Sequence, residues 1–542
     1  MKAKMASWWK EGVQVGGQMM IAGVGLTRAG ILAPVRPDRL ARLAWRSLHE
    51  GTNFATLLTA AAVRFPDRIV IEDDMGALSY ADLDTRAQAI AAALAADGIG
   101  AGDTVALMCR NHRGFVEGLL AVSRLGADVV LLNTEFPAPQ LRQVLDRHAL
   151  SLVIHDGEFN SVFVKAGYDG RRVLADSQGA PGSLCSLASR HEPAPGPRRQ
   201  GQIIILTSGT TGVPKGAPRK TPALAAVGPI ATLFNTLPLR SGEPVLIGTP
   251  LFHGFGLAFL AVALSLGSTM VLCRRFDADK VAQLLVMHQV KTFVAVPVML
   301  QRLLDIPAVG RYSWSFRHLS TVISAGAPLG ASLATRWMDT HGENLFNLYG
   351  STEAGVGTLA TPQDMRAAPG TVGRMPLGTD LRILDSNGCA LPAGLPGHIC
   401  VRSGMLFEGY VGGGSKPMLN GYMNTGDIGH VDAEGRLFVE GREDDMIVSG
   451  GENVFPLEVE EWLSAYPGVV DVAVVGVKDE EFGQRLKAFV VAGADADFGP
   501  ETLKGFLRER IARYKVPRDI VLVAELPRNA TGKVLRGQLA SR

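Results

Sequence analysis

The most informative stretch of this 542-residue chain is Leu206-Thr207-Ser208-Gly209-Thr210-Thr211-Gly212-Val213-Pro214-Lys215-Gly216. Three consecutive isoleucines precede it and predict a buried strand that leads into a loop. The glycines let backbone N–H groups approach an anion, the hydroxyl groups add donors, and Lys215 adds positive charge. The stretch therefore predicts a polyphosphate-binding loop, although its spacing is not that of a Walker A loop. The alternative is a plain surface loop rich in Ser, Thr and Gly.

Short apolar runs alternate with helical patterns on both sides of this loop. Examples of the apolar runs are Asp103–Met108 and Thr292–Val296, and such alternation predicts βαβ units on parallel sheets. From about Gly373 short strands with glycine turns predict a small β unit, and after Gly441 strands and helices alternate again. The predicted fold class is α/β. We expect a large N-terminal domain of two α/β layered subdomains with a small β-barrel-like unit, followed by a small α+β C-terminal domain.

The composition excludes several classes of function. The formal net charge is +2, which gives no global reason to expect nucleic-acid binding. The five cysteines lack C-x-x-C spacing, which argues against a zinc site or a disulfide framework and fits a reducing cytoplasm.

Residues 1–50 form a distinct N-terminal extension, with eight Lys or Arg residues against three acidic ones. The run from Gly12 to Thr27 has no charged residue. It is shorter than the roughly 20 residues that a membrane-spanning helix needs. Two interpretations stay open: a helix packed on the main domain, or a peripheral contact of residues 12–34 with a membrane surface.

Five further segments carry polar residues suited to nucleotide chemistry. An aromatic ring can stack on a base, and a carboxylate can hold Mg²⁺ or accept from ribose hydroxyls. In chain order the segments are Asn347-Leu348-Tyr349-Gly350-Ser351-Thr352-Glu353, Tyr422-Met423-Asn424-Thr425-Gly426-Asp427, Gly441-Arg442-Glu443-Asp444-Asp445, Ser449-Gly450-Gly451-Glu452-Asn453 and Pro527-Arg528-Asn529-Ala530-Thr531-Gly532-Lys533-Val534. With the loop, they resemble the adenylate-forming superfamily, which includes acyl-CoA synthetases, luciferases and peptide-synthetase adenylation domains. The resemblance extends over roughly Asn53 to Val534.

The resemblance implies a binding site for ATP and Mg²⁺. Tyr349 would flank the adenine, Thr352 would contact the phosphate and Glu353 would ligate Mg²⁺. Asp427 would accept hydrogen bonds from the ribose hydroxyls, and Arg442 would reach the ribose or the phosphate. The remaining implied ATP-binding residues are Thr207, Ser208, Gly209, Thr210, Thr211, Gly212, Lys215, Gly350 and Ser351.

The resemblance also implies a second half-reaction with CoA. A hinge at Asp444 would join a large domain, residues 51–443, to a mobile small domain, residues 444–542. Lys533 would reach the carboxylate and the α-phosphate during adenylation. Gly450 and Gly451 would line the tunnel for the CoA arm during thioester formation.

The acid is predicted from the acyl-pocket segments. The segment 250–256 contains no acidic residue. This disfavours amino acids, because a buried ammonium group would lack a partner. By resemblance His253 would lie near the acyl carboxylate, and the pocket would be lined by Ser324, Gly326, Ala327 and Gly355. The expected enzyme is a cytoplasmic or membrane-associated fatty-acid:CoA ligase. Alternatives are an aromatic-acid:CoA ligase, a fatty-acyl-AMP ligase that loads a carrier protein, and a catalytically silent acyl- or nucleotide-binding protein.

Overall fold

The chain divides into two compact units. The computed structural model describes residues 16–32, 37–38, 53–177, 179–189, 200–207, 215–218, 223–306, 316–407, 409–410, 413–449, 452–479, 482–493 and 496–541. The first unit comprises Met1–Ala295, Ile306–Ile323 and Gly404–Ser415. The second comprises Val296–Asp305, Ser324–Ser403 and Lys416–Arg542.

The first unit alternates helices with short strands, as the sequence predicts. Its helices are residues 16–28 (α1), Phe54–Arg64 (α2), Tyr80–Ala96 (α3), Arg113–Leu125 (α4), Ala138–Arg147 (α5), Asn160–Lys165 (α6), Leu184–Leu187 (α7), Ala223–Thr236 (α8), Gly254–Leu266 (α9) and Ala278–Met287 (α10). Its strands are Ile69–Asp73 (β1), Gly76–Ser79 (β2), Thr104–Met108 (β3), Asp128–Leu131 (β4), Leu152–His155 (β5), Arg172–Leu174 (β6), Ile203–Thr207 (β7), Lys215–Pro218 (β8), Val245–Ile247 (β9), Met270–Leu272 (β10), Thr292–Ala295 (β11) and Thr321–Ser324 (β12), whose last residue belongs to the second unit.

Two mostly parallel sheets organise this unit. One has the strand order β6-β5-β3-β4-β7-β8, and only β8 runs antiparallel to its neighbour. In the other, the strands of this unit lie in the order β12-β11-β9-β10-β1-β2. Strands such as β3 and β5 are buried along nearly their whole length, because helices cover both faces of a parallel sheet.

Helix α1 packs on the body of the first unit. Ala22, Gly25 and Ala29 recur at helical spacing on its buried side. The Asn235 side chain on α8 donates to the Ile21 carbonyl at 2.9 Å. A Cβ at Gly25 would lie 2.6 Å from Nδ2 of Asn235, so the two helices approach closely. Helix α1 therefore matches one of the two interpretations that the sequence left open, a helix packed on the main domain. Within the described ranges no helix is long and apolar enough to cross a membrane.

The second unit contains the small β portion and the C-terminal portion. Its helices are Pro297–Leu304 (α11), Ala331–His341 (α12), Pro362–Ala367 (α13), Pro456–Ser464 (α14), Pro500–Arg508 (α15) and Arg536–Ala540 (α16). Its strands are Leu345–Ser351 (β13), Gly355–Ala360 (β14), Thr379–Leu384 (β15), Gly397–Ser403 (β16), Met418–Leu419 (β17), Tyr422–Val431 (β18), Leu437–Arg442 (β19), Ile447–Ser449 (β20), Glu452–Val454 (β21), Val469–Asp479 (β22), Gly483–Ala492 (β23) and Asp519–Val523 (β24).

Antiparallel pairing dominates the second unit. Strands β13 and β14 form a hairpin. Strands β15, β16, β18 and β17 form a sheet in that order, and β19 also pairs with β18. A further sheet has the order β21-β20-β23-β22, with β24 parallel beside β23. Helices α14 and α15 pack on that sheet through buried residues such as Val459, Leu463, Leu503 and Leu507. The predicted fold class is thus confirmed.

Candidate active site

The predicted polyphosphate-binding loop connects two antiparallel strands. Thr207 ends β7, Lys215 begins β8, and these two residues are paired across the hairpin. The backbone therefore brings the two ends of the predicted loop side by side. The other loop residues predicted to bind ATP, Ser208, Gly209, Thr210, Thr211 and Gly212, lie outside the described residues.

Tyr349 and Asp427 are hydrogen-bonded although 78 residues separate them. The Tyr349 hydroxyl, on β13, donates to Oδ2 of Asp427, on β18, at 2.6 Å. Burial raises the pKa of Tyr349 well above its ordinary value, and the Asp427 charge adds to the effect. A Cβ at Gly357 would lie 3.0 Å from Cδ1 of the Tyr349 ring, so the ring packs closely against this glycine.

Asp427 faces Arg442 across the β18–β19 ladder. The two residues are register partners, and Nη1 of Arg442 donates to Oδ1 of Asp427 at 3.2 Å. Direct cross-strand neighbours have side chains close enough to interact, which explains the pair. The Asp427 backbone N–H donates to Oγ1 of Thr425 at 3.1 Å. Tyr349 and Arg442 thus each bind one of the two carboxylate oxygens of Asp427.

Arg442 also contacts the predicted hinge residue. Its Nε donates to Oδ1 of Asp444 at 3.0 Å, and its Nη2 donates to Oδ2 at 3.3 Å. Burial disfavours the guanidinium charge, but the hydrogen bond to Asp444 and the charge of Asp427 together raise the pKa of Arg442. This link between the predicted ribose-binding pair and the predicted hinge was not foreseen from the sequence.

Lys533 lies in the electrostatic field of the same residues. Its side chain is exposed by surface area. Desolvation by the surrounding protein nevertheless lowers its pKa, and the positive charge of Arg442 lowers it further. The carboxylates of Asp427 and Glu353 act in the opposite direction and favour the charged form. The second unit thus brings together four predicted site residues from four separate segments.

Glu353 is the residue predicted to ligate Mg²⁺. It is 8% exposed and follows Ser351 and Thr352 in the turn between β13 and β14. Gly350, near the end of β13, lies against the Gly355 carbonyl, and a Cβ at position 350 would lie 2.0 Å from its oxygen. The described residues contain no group of three or more His, Cys, Asp or Glu side chains that could hold a metal ion. In nucleotide sites Mg²⁺ is held by one or two carboxylates together with phosphates and waters, and Glu353 is the carboxylate predicted for this role.

The predicted CoA-contacting glycines lie outside the described residues. Gly450 and Gly451 connect β20 to β21, and the flanking residues Ser449 and Glu452 are paired. Any role of the two glycines stays a prediction.

His253 immediately precedes helix α9 in the first unit. The adjoining loop is fixed by Asn111, whose side chain donates to the carbonyls of Ile247 and Thr249 and accepts from the Leu251 N–H at 2.9 Å. Helix α9 has no charged residue. Asn111 is a positioning residue that sequence reasoning missed, because its partners lie about 140 residues away.

Ser324 is the last residue of β12, and Gly326 and Ala327 follow it in the second unit. Gly326 has φ +86°, which glycine adopts without strain. Ser324 is fully buried, and its hydroxyl has no hydrogen-bond partner among the described residues. Gly355, the remaining predicted pocket residue, begins β14 with φ +79°. Since His253 belongs to the other unit, its relation to these four residues stays a prediction.

Two family models together match most of the chain. A family model described as AMP-binding enzyme matches residues 58–411, and one described as AMP-binding enzyme C-terminal domain matches residues 458–533. The chain belongs to the AMP-binding enzyme family. This AMP-binding enzyme is an adenylate-forming acid:CoA ligase, and that group uses ATP, Mg²⁺ and CoA.

Curated relatives of this AMP-binding enzyme act on different acids. It is 34% identical to a feruloyl-CoA synthase of Amycolatopsis sp, over 86% of this chain and 94% of the relative. It is 34% identical to an indoleacetate–CoA ligase of Aromatoleum aromaticum, over 87% and 93%. It is 31% identical to the long-chain-fatty-acid–CoA ligase FadD13 of Mycobacterium tuberculosis, over 85% and 92%.

A solved structure confirms the fold of this AMP-binding enzyme. The o-succinylbenzoate CoA synthetase of Bacillus subtilis, in complex with its acyl-adenylate intermediate, has a TM-score of 0.76 and 28% identity. The match covers 89% of this chain and 97% of that one.

Proposed function

We propose that this enzyme activates a medium- or long-chain fatty acid as its acyl-adenylate and then transfers the acyl group to CoA. The observation that carries the adenylation step is the shared environment of Lys533, Asp427, Arg442 and Glu353. A cation, a paired carboxylate–guanidinium couple and a buried acid are the groups that a nucleotide and a reacting phosphate require.

A free carboxylate is a poor acyl donor, because its leaving group would be oxide, and it must therefore be activated. Attack of the acid on the α-phosphate of ATP releases pyrophosphate and makes AMP the leaving group. The acid needs no general base, because a carboxylic acid is already ionised at neutral pH. Lys533 stabilises the negative charge that develops at the α-phosphate, and His253 contacts the acyl carboxylate.

We assign nucleotide binding to residues on strands β13, β18 and β19, to the turn after β13 and to the predicted phosphate loop. Asp427 accepts hydrogen bonds from the ribose hydroxyls with Arg442 beside it, and Tyr349 flanks the adenine. Thr352 and the loop residues from Thr207 to Gly212, with Lys215, bind the phosphates. Mg²⁺ held by Glu353 would neutralise phosphate charge.

The second step uses a rearranged small domain. We assign the hinge to Asp444, between a large domain of residues 51–443 and a small domain of residues 444–542. When the small domain turns, Lys533 leaves and the Gly450–Gly451 connection enters to line the path of the CoA arm.

A fatty-acid substrate is favoured because the segments predicted to line the acyl pocket are apolar. Residues 250–256 carry no acidic side chain, and α9, which follows His253, is uncharged. Small residues at Gly326, Ala327 and Gly355 leave space for an acyl chain. Burial of each methylene of such a chain contributes about 0.8 kcal/mol.

An aromatic acid is the second candidate. It is favoured by two relatives at 34% identity, named feruloyl-CoA synthase and indoleacetate–CoA ligase. The buried Ser324 hydroxyl could donate to a polar substituent that a fatty acid lacks. Transfer to a carrier protein is the third, because a relative named fatty acid–[acyl-carrier-protein] ligase is 31% identical.

The deciding experiment is acid-dependent pyrophosphate release with ATP and Mg²⁺, with and without CoA. The acids are saturated fatty acids of graded length, ferulate and indoleacetate. We expect CoA-dependent turnover with a maximum at one fatty-acid length. A preference for ferulate or indoleacetate would replace the fatty acid with an aromatic acid. A single burst unaffected by CoA would indicate a carrier-protein acceptor.

We further propose that helix α1 lies on an anionic membrane surface, so that the cytoplasmic enzyme takes its acid from lipid. The side of α1 away from the protein is apolar, with Met20 71% and Val24 45% exposed. Exposed apolar clusters commonly mark interaction sites. The excess of basic residues in positions 1–50 favours anionic lipid over a second protein copy, which would repel this charge.

Vesicle binding tests this surface. We expect the full chain to co-sediment with vesicles of phosphatidylcholine and phosphatidylglycerol, and the Met20→Glu/Val24→Glu variant to lose most of this binding. Met287→Glu is the matched control, because Met287 is 73% exposed on α10. Equal loss in both variants, or a chain that dimerises through α1, would contradict the lipid proposal. Turnover of a short, soluble acid should not change.

A further inference from the structure

The hairpin that carries Lys533 is fixed internally. Its backbone is paired between Asn529 N–H and the Lys533 carbonyl at 2.9 Å and between Leu535 N–H and the Pro527 carbonyl at 2.8 Å. The Asn529 side-chain oxygen accepts from the N–H of Lys533 at 2.9 Å and from the Thr531 N–H at 3.0 Å. The backbone of Lys533 therefore cannot move independently of this hairpin.

Arg528 joins this hairpin to the C-terminal sheet. Its Nη2 donates to both oxygens of Asp471 on β22, at 2.7 and 2.8 Å. Its Nη1 donates to the carbonyl of Gly532, the residue before Lys533. One planar guanidinium thus links a strand of the sheet to the peptide bond that leads into Lys533. The pair is half-buried, with the two side chains 19% and 25% exposed.

Arg536 makes a second connection on the other side of Lys533. Its Nη1 and Nη2 donate to the two oxygens of Glu460, on α14, at 2.6 and 3.0 Å. Glu460 is itself oriented by the Val474 N–H at 2.7 Å. Lys533 therefore lies between two arginine–carboxylate forks that both end on the C-terminal core.

We propose that Asp471 and Arg528 are positioning residues that fix where the Lys533 ammonium stands during adenylation. The proposal rests on the role assigned to Lys533 under the proposed function. Bidentate arginine–carboxylate pairs hold both distance and orientation, which a lysine–carboxylate contact does not. Because misplacement of a reacting group by about 1 Å can cost roughly 100-fold in rate, loosening this fork should slow the step that uses Lys533.

A purely structural role makes a different prediction. If the fork only stabilised the C-terminal portion, its loss would lower the melting temperature and slow both half-reactions alike. A positioning role instead separates the half-reactions, because Lys533 acts in adenylation and not in thioester formation.

The test uses Asp471→Asn and Arg528→Lys in the full chain. Adenylation is measured as acid-dependent ATP–pyrophosphate exchange, and thioester formation is measured from supplied acyl-AMP and CoA. We expect kcat for adenylation to fall ten- to 100-fold in both variants, with KM for ATP changed by less than threefold. Thioester formation should stay within about twofold of the unmodified enzyme, since one misplaced group affects only its own step. If Asp471→Asn does not fold, Arg528→Lys carries the test, because it keeps the charge pair.

Asp519→Asn is the matched control. Asp519 pairs with Arg485 at 3.1 Å on the same sheet but does not contact the hairpin, so both half-reactions should be unchanged. Loss of both half-reactions, or of neither, in the Asp471 and Arg528 variants would overturn the positioning role. Lys533→Ala is measured alongside, and if that variant still adenylates, the role of Lys533 itself is wrong.

Discussion

Lys533 carries its positive charge in surroundings that partly disfavour it. Desolvation and Arg442 lower its pKa, while the nearby carboxylates only partly offset them. A lysine with these neighbours is suited to meet an incoming phosphate, because the phosphate adds negative charge beside an ammonium group that burial disfavours.

Replacing Lys533 with alanine should separate the two half-reactions. Adenylation should fall by about 100-fold or more, the scale of losing one group that stabilises transition-state charge. Thioester formation from supplied acyl-AMP should persist. Because the side chain is exposed, the melting temperature should not fall. Rapid-quench assays of the two steps check this, and equal losses in both would contradict the assignment.

The pH dependence of adenylation should also report on Lys533. Adenylation needs the charged ammonium, and a lowered pKa means that this charge is lost at a lower pH as the pH rises. The alkaline decline in rate should therefore begin below the ordinary lysine pKa of 10.5. Lys533→Arg stays protonated across this range, so its slower reaction should lack the decline. The same decline in both proteins would assign it to another group.

The element that presents Lys533 is a hairpin whose tip fits closely against the start of α11. Gly532 has φ +76°, and a Cβ there would lie 2.8 Å from Cγ1 of Val298 and 3.1 Å from Cγ2 of Val296. Only glycine satisfies both the left-handed backbone and the close approach.

Gly532→Ala should therefore impair adenylation more than thioester formation. The added methyl group strains the turn by roughly 1 kcal/mol and pushes the tip away from Val298. We expect at least a tenfold loss in adenylation. Gly537→Ala is the control, because nothing lies within 4 Å of its Cβ position on α16. Equal activity of the two variants in the ATP–pyrophosphate exchange assay would show that the tip contact does not matter.

Sequence patterns predicted the strands and helices better than the side-chain contacts that join residues distant in the chain. The family resemblance singled out Tyr349, Asp427 and Arg442, and the structure joins them by hydrogen bonds, while their nucleotide-binding roles stay predictions. The forks Asp471–Arg528 and Glu460–Arg536 could not be predicted, since each joins residues 57 or more apart in one chain. Apolar residues continue beyond Arg508, where helix α15 ends, and a short 3-10 helix follows at Arg513–Lys515.

At the scale of the whole molecule, nucleotide binding should stabilise the folded chain. A ligand at 100 times its dissociation constant adds about 2.7 kcal/mol to the folded state. Asp427→Ala should remove most of the thermal shift caused by Mg²⁺-ATP, because the ribose loses its acceptor. Asp432→Ala, which breaks a pair with Arg436 at 2.6 Å in the turn between β18 and β19, should keep the shift. Thermal unfolding with and without Mg²⁺-ATP distinguishes them, and an unchanged shift in Asp427→Ala would exclude the ribose contact.

The two protein contacts of Asp427 have a consequence for the speed of the cycle. Tyr349 and Arg442 hold both of its oxygens through contacts within the protein itself. The rotamer entropy of this side chain is therefore lost when the chain folds and not when ATP arrives. The carboxylate of Asp427 then does not have to reorient when the nucleotide binds. The association rate is set by diffusional encounter and by the predicted phosphate loop.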